Sequence, residues 1–222
     1  MLHLHHLENS RSFRILWLLE ELKIDYELTR YKRTKAYLAP DSLKKVHPLG
    51  HAPILEVDGR CLLESGFIIE YLLKHYDEQQ RFKPADNDEL AWEYYTFWLH
   101  YSEAKAMPPL VVRLVFNKIV DRTPFLIKPA VKFMRRRVEK SYIADNILAM
   151  LALMEQHLAD NLWFAGESFS AADIQMYFVA VAAKSRTPLG SGDYINVMNW
   201  LKRCQQRTAF KRAEKKGGHI TL

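Results

Sequence analysis

Cysteine is scarce in this 222-residue chain: Cys61 and Cys204 stand far apart, with no spaced partner to suggest a disulfide framework or a cysteine-based zinc module. A reducing compartment fits best, and the cytoplasm is the expected location. Eight glycines and nine prolines are too few for a collagen-like or linker-rich chain. No apolar run approaches the roughly 18 residues of a membrane-spanning helix, so no membrane span is expected. The opening Met1-Leu2-His3-Leu4-His5-His6-Leu7 meets Glu8 without the basic start and long apolar middle of a secretory signal. Base-stacking aromatics are missing from the basic clusters Lys44-Lys45, Arg135-Arg136-Arg137 and the group Lys211, Arg212, Lys215 and Lys216. The net charge of +6 therefore reads as a solvated basic surface, and no nucleic-acid partner is expected. What remains is an ordinary folded composition, 49% hydrophobic and 26% charged, of a length that permits two small domains.

The pattern changes character along the chain. His3 to Leu7 has the length of a short strand, and Ile15, Leu18, Leu19 and Leu22 then fall at i, i+3, i+4 and i+7, one face of a helix. Tyr26 to Tyr31, Pro53 to Val57 and Cys61 to Glu64 read as further strands, with Asp58-Gly59 as the turn of an antiparallel hairpin. From Ser65 the period is helical again, through Ile68, Tyr71, Leu72 and His75. The polar stretch that follows separates an α/β domain over 1–78 from an all-helical domain over 89–222, with 79–88 as linker. In the second part, Glu89 to Ser102 and Ile143 to Leu158 have helical spacing, and prolines 108, 109, 124 and 129 are expected to interrupt the region between them. Ser170 and Asp173 form a capping pair, flanked by Phe169 and Ile174 as a hydrophobic staple. The helix they start, apolar on nearly every side over Met176 to Ala183, is expected to run through the centre of its domain.

Three segments carry chemistry, each with an alternative. Glu8-Asn9-Ser10-Arg11-Ser12 lies between a strand end and a helix N-terminus that favours negative charge, so it can hold an anion, or Ser10 or Ser12 can simply cap the helix. In His47-Pro48-Leu49-Gly50-His51-Ala52-Pro53 a proline opens a strand. A cis bond before it would leave the Ala52 backbone to pair with a peptide-like ligand, although trans is the commoner state. Glu64-Ser65-Gly66 puts a carboxylate and a hydroxyl at a helix start, where they can hold an amino-acid head group or cap the helix. His3 and His5 point to one strand face and His6 to the other, so the three do not form a ligand set and no metal is expected. Cys61 reads as a small buried hydrophobe.

In this order the segments resemble the glutathione transferase family. The resemblance rests on Asn9-Ser10-Arg11-Ser12-Phe13-Arg14 leading into Ile15 to Leu22, Pro48-Leu49-Gly50 with Ala52-Pro53, Glu64-Ser65, and Ser170-Ala171-Ala172-Asp173, and spans nearly the whole chain. The run Asn9 to Leu22 and the ending Lys216-Gly217-Gly218 look most like the serine-type bacterial and fungal members. It implies a thioredoxin-like βαβαββα domain with a mixed four-stranded sheet, followed by an all-α domain. It also implies a cis Pro53, Ala52 pairing with the cysteinyl backbone of glutathione, Glu64 and Ser65 at the γ-glutamyl end, and Ser10 beside the sulfur. Asn9, Arg11 and Ser12 are supporting candidates. His51 stands where many relatives have a lysine for the glycine carboxylate, and His47 replaces a common asparagine.

The activity so implied is conjugation of the glutathione thiolate to small hydrophobic electrophiles, a detoxification chemistry, with peroxidase activity as a companion. The alternative is a non-catalytic glutathione-binding or protein-interaction module. A homodimer is implied as well. A free thiol is about 3% ionised at pH 7. Lowering its pKa by about two units takes roughly 2.7 kcal/mol, within reach of one or two hydrogen bonds to a charged group at about 1.5 to 3 kcal/mol each. Ser10 is thus expected to donate to sulfur and not to act as a covalent nucleophile, since no His and Asp are placed by sequence to activate it. Tyr101, Met107, Pro108, Leu110 and Val111 are the candidates for the electrophile wall.

Overall fold

The computed structural model describes residues 1–184 and 194–220. Its N-terminal part runs β1 (Leu2–Leu7), α1 (Ser12–Leu22), β2 (Glu27–Tyr31), α2 (Asp41–Lys44), β3 (Ile54–Val57), β4 (Arg60–Leu63) and α3 (Ser65–Tyr76). The sheet has four strands in the order β2-β1-β3-β4. β1 and β2 are parallel, and the other two pairings are antiparallel. This is a thioredoxin-like domain with a mixed sheet. The Asp58-Gly59 turn has φ of 49° and 79°, the left-handed pair that a tight hairpin of matching twist requires.

The remainder is helical: α4 (Glu89–Tyr101), α5 (Met107–Arg122), α6 (Lys128–Val138), α7 (Ala144–Asp160), α8 (Ala171–Lys184), α9 (Ile195–Gln206) and α10 (Thr208–Gly217). Prolines 108 and 109 do not interrupt the chain as the sequence suggests. A π-helical turn, Ser102–Ala106, carries α4 straight into α5 and places both prolines in the first turn of the new segment. There the missing N–H groups cost little and the widened turn accommodates the rings. The break comes instead at Thr123, whose extended ψ of 132° is what the residue before Pro124 prefers. A second π turn, Glu139–Ile143, joins α6 to α7.

α1 positions everything else. Every one of its residues is buried, because the sheet covers one side and α3, α8 and α10 the others. Its apolar face packs Trp17 edge-on against Tyr177 and Phe210, ring centroids 5.4 and 5.0 Å away. Its charges are paired across the chain. Glu21 accepts from Arg207 Nε at 2.6 Å, and Glu20 accepts from Arg212 Nε at 2.7 Å and from Lys216. The basic tail is therefore not simply solvated: Arg212 and Lys216 dock α10 onto α1. Both carboxylates are buried, so removing either partner leaves an expensive unpaired charge.

Candidate active site

A cleft of about 760 Å³ opens between the end of β1, the loop before β3, the start of α3 and the helices α5 and α8. Asn9, Ser10, Arg11, His51, Ala52, Pro53, Glu64 and Ser65 all line it, together with Met107, Leu110 and Val111. The Ala52–Pro53 bond is cis. Four lining residues have left-handed backbone: Asn9 (φ 50°), Tyr37 (φ 64°), Gly50 (φ 58°) and Glu64 (φ 68°). For Asn9 and Glu64 this is a costly conformation of the kind that functional sites hold. A Cβ on Gly50 would meet Lys44 Cγ at 2.6 Å, so the loop also needs glycine for space.

Three expected residues lie outside the lining. Ser12 is fully buried, its hydroxyl consumed by interior partners. Tyr101, at the end of α4, stacks on Phe97 at 5.2 Å. Pro108 sits off the stripe Met107, Leu110, Val111 and Leu114, whose spacing of i, i+3, i+4 and i+7 faces the cleft. Leu114 follows from the same period and was overlooked; Phe178 and Ala182, on the uniformly apolar α8, carried no signal. Cys61 is half-buried, not buried; burial and the nearby Glu56 raise its thiol pKa.

The β1–α1 turn holds a chain of hydroxyls. Ser10 Oγ lies 2.8 Å from Leu7 O and 2.7 Å from Ser12 Oγ, and accepts from Ser12 N at 3.2 Å. Ser12 Oγ lies 2.9 Å from His6 Nδ1 and accepts from Leu7 N at 3.1 Å. His6 Nε2 is 3.1 Å from Gly217 O, at the end of α10. A carbonyl can only accept, so Nε2 carries the proton and Nδ1 must accept from Ser12. Burial depresses the His6 pKa to about 4, which keeps the ring neutral. The proton order thus runs from Ser12 through His6 to α10, while the Ser10 hydroxyl donates to Leu7 O beside it. Arg33 clamps the same turn from outside, donating to Glu8 O at 3.1 Å and Asn9 O at 2.9 Å.

At the other end, Ser65 Oγ accepts from Arg14 Nη1 at 3.1 Å and Gln175 Nε2 at 3.3 Å. With two donors on its oxygen, its own proton is left to point at a ligand. Arg14 is fully buried and also donates to Glu103 at 2.5 Å, which Arg11 reaches at 3.0 Å. Burial raises the Glu103 pKa, but the Arg14 and Arg11 charges outweigh it and hold the carboxyl below its usual range. The cleft therefore has a polar half rich in donors and an apolar half on α5 and α8. Arg33, Arg14 and Glu103 carry no local signal of a role at the site, because that role depends on contacts 24 or more residues away.

Residues 1–74 match the family model described as glutathione S-transferase, N-terminal domain, and residues 117–203 the one described as glutathione S-transferase, C-terminal domain. The chain is 38% identical over 222 residues to glutathione S-transferase 3 of Schizosaccharomyces pombe, covering 100% of this chain and 90% of that protein. It is 32% identical over 220 residues to glutathione S-transferase 1 of Saccharomyces cerevisiae, covering 96% and 93%. Among solved structures, a glutathione S-transferase from Actinobacillus pleuropneumoniae superposes with a TM-score of 0.79 at 30% identity, covering 99% of this chain and 94% of the other.

Proposed function

The chain belongs to the glutathione S-transferase family, and from that premise we propose that it conjugates the glutathione thiolate to small hydrophobic electrophiles. One observation carries the reading: a single cleft brings Ser10, Ala52, Glu64 and Ser65 onto one polar side, opposite the apolar stripe of Met107, Leu110, Val111 and Leu114. Glutathione lies along the polar side. The Ser65 hydroxyl and the N-terminus of α3 take its γ-glutamyl carboxylate, Glu64 takes the ammonium, the Ala52 backbone pairs with the cysteinyl unit and His51 takes the glycine carboxylate. The sulfur then faces Ser10.

To donate to sulfur, the Ser10 O–H turns away from Leu7 O and Ser12 Oγ. Ser12 Oγ is not orphaned by this rotation, because Leu7 N still donates to it at 3.1 Å. Ser12 N in turn keeps Ser10 Oγ in place. One such bond to a thiolate contributes about 1.5 to 3 kcal/mol, enough to lower the thiol pKa by about one to two units. The thiol proton leaves to solvent, the sulfur pair forms a bond to the electrophilic carbon, and the leaving group departs with its own pair; with an organic hydroperoxide the sulfur would instead attack oxygen, releasing the alcohol and leaving glutathione as its sulfenic acid, which a second glutathione converts to the disulfide and water. The physiological setting is a cytoplasmic homodimer.

Replacing Ser10 by Ala is expected to lower kcat/KM for an aryl halide by about 10- to 100-fold and to raise the pKa of bound glutathione, read from thiolate absorbance against pH. An unchanged pKa and turnover would remove Ser10 from the role. The inward proton of Ser10 favours a second reading, a module that binds glutathione without catalysing. Retention on immobilised glutathione with no turnover of aryl halides, hydroperoxides or unsaturated carbonyls would select it.

A further inference from the structure

The outer face of the N-terminal sheet carries a group of side chains that the cleft does not use. Alternation along β1 puts His3 and His5 on the face opposite His6, and the antiparallel register sets His3 directly across from Glu56 of β3. Glu56 Oε2 lies 3.3 Å from His3 Nδ1 and 3.2 Å from His5 Nε2. The three ligand atoms all fall within 4.8 Å of one another. The two imidazoles are tilted together, with ring centroids 4.2 Å apart.

Each ring is already held by its other nitrogen. His3 Nε2 meets Thr29 Oγ1 at 2.8 Å, and His5 Nδ1 meets Tyr31 Oη at 2.9 Å, both on β2. A hydroxyl can accept from a ring N–H, and in that tautomer the other nitrogen presents its lone pair to the group, as in the outer shell of a metal site. His5 is 5% exposed, and its Nε2 has no hydrogen-bond partner, since Glu56 Oε2 is near but out of line. Three lone-pair atoms thus converge with a buried imidazole nitrogen left unsatisfied. A proton would pair two of these atoms; a metal ion would engage all three.

We propose that His3, His5 and Glu56 bind one divalent transition-metal ion of the zinc type, with water completing the coordination. Ligands at about 2.0 to 2.2 Å from a tetrahedral ion stand roughly 3.3 to 3.5 Å apart, close to both distances from Glu56 Oε2. Two imidazoles and one carboxylate suit zinc, cobalt or nickel and not magnesium or calcium, which take oxygen ligands. His3 and Glu56 are half-buried, so the ion enters from their side while His5 closes the floor. The ion ties β1 to β3, and through Thr29 and Tyr31 the ligand shell reaches β2. Glu56 lies three residues beyond Pro53, so the site braces the strand that leaves the cleft loop without touching the cleft.

The test uses the full chain without an affinity tag, stripped of metal and free of glutathione, so its outcome does not depend on the transferase reading. Calorimetric titration with zinc chloride is expected to saturate at one ion per chain, and cobalt(II) to give the visible absorption of a low-coordinate nitrogen–oxygen site. Magnesium chloride should produce neither. His3→Gln and Glu56→Gln, both at half-buried positions, should each weaken zinc binding at least tenfold, and Tyr31→Phe about tenfold through the lost support of His5. Cys61→Ser, whose thiol lies 3.8 Å from Val46 O and 3.9 Å from the other Glu56 oxygen, should bind as the native chain does. Circular dichroism establishes that each variant is folded, and His3→Gln carries the test if Glu56→Gln is not. Absence of saturable zinc uptake, or uptake unchanged in His3→Gln, would overturn the proposal.

Discussion

The starts of α1 and α8 both carry serine hydroxyls, and they use them differently. At α8, Ser170 and Asp173 close on each other inside the second domain. Asp173 accepts from Ser170 N at 2.9 Å, Phe164 N at 3.0 Å and Trp200 Nε1 at 2.8 Å. Every polar atom there serves the fold. At α1 there is no acid in the first turn, and the hydroxyls of Ser10 and Ser12 hand their protons inward, to Leu7 O and to a neutral histidine, while Ser10 still borders the cleft. A start that supplies its own carboxylate is a sealed structural joint. One that lacks it keeps a hydroxyl that can be turned toward a ligand.

The sharpest way to break the comparison is to disable the sealed joint. Asp173→Ala leaves two backbone N–H groups, the Trp200 indole and the Ser170 hydroxyl facing an empty, fully buried position. At about 1 to 3 kcal/mol for each stranded group, we expect a loss of about 4 kcal/mol or more, read as a shifted urea midpoint. Ser10→Ala, by contrast, strands only Ser12 N, since Leu7 O keeps Ser12 Oγ nearby, and should cost about 1 to 2 kcal/mol while reducing turnover. Equal destabilisation by the two would erase the distinction.

The same contrast appears in pH dependence, with opposite signs. Burial raises the Asp173 pKa to about 6, so its contribution to stability is complete below the unfolded value near 3.8 and is lost as pH rises through about 6. Burial lowers the His6 pKa to about 4, so its contribution is complete above about 6.5 and is lost as pH falls through about 4. Each amounts to about 3 kcal/mol, and over pH 4 to 6.5 the two largely offset. The variant His6→Gln keeps a donor for Gly217 and an acceptor for Ser12 but does not titrate. Subtracting its urea profile from the native one cancels the shared groups, and the difference, native minus variant, should fall by about 3 kcal/mol as pH drops from 6.5 to 4. Parallel profiles would mean that His6 stays protonated when folded.

Smaller effects refine the open joint. Ser12→Ala removes the donor to His6 Nδ1 and the acceptor for Leu7 N, costing about 1 to 2 kcal/mol. It leaves Ser10 free to rotate, so turnover should fall less than in Ser10→Ala. His51→Ala removes the side chain assigned to the glycine carboxylate and should weaken glutathione binding several-fold with little change in kcat. Calorimetric titration with glutathione checks it; an unaltered affinity would place the glycine carboxylate elsewhere.

Much of this was legible beforehand because it is local. The spacing of Ile15, Leu18, Leu19 and Leu22, the Asp58-Gly59 turn and the Ser170/Asp173 cap each concern residues a few positions apart, where backbone sterics and helix periodicity decide the outcome. The same logic misjudged prolines 108 and 109, because a π turn supplied tertiary room that local rules do not anticipate. It brought Ser10, Ala52, Glu64 and Ser65 to attention through their settings at strand and helix ends, and Ser12 along with them. The direction of the Ser12 proton could not be read this way, since it depends on His6 and on Gly217, 211 residues apart. By itself the sequence determined the elements, their order and the residue types that reach the cleft. Only the packing of α10 against α1 decided which hydroxyl borders the cleft and which is buried, because burial and long-range hydrogen bonding set where a proton sits.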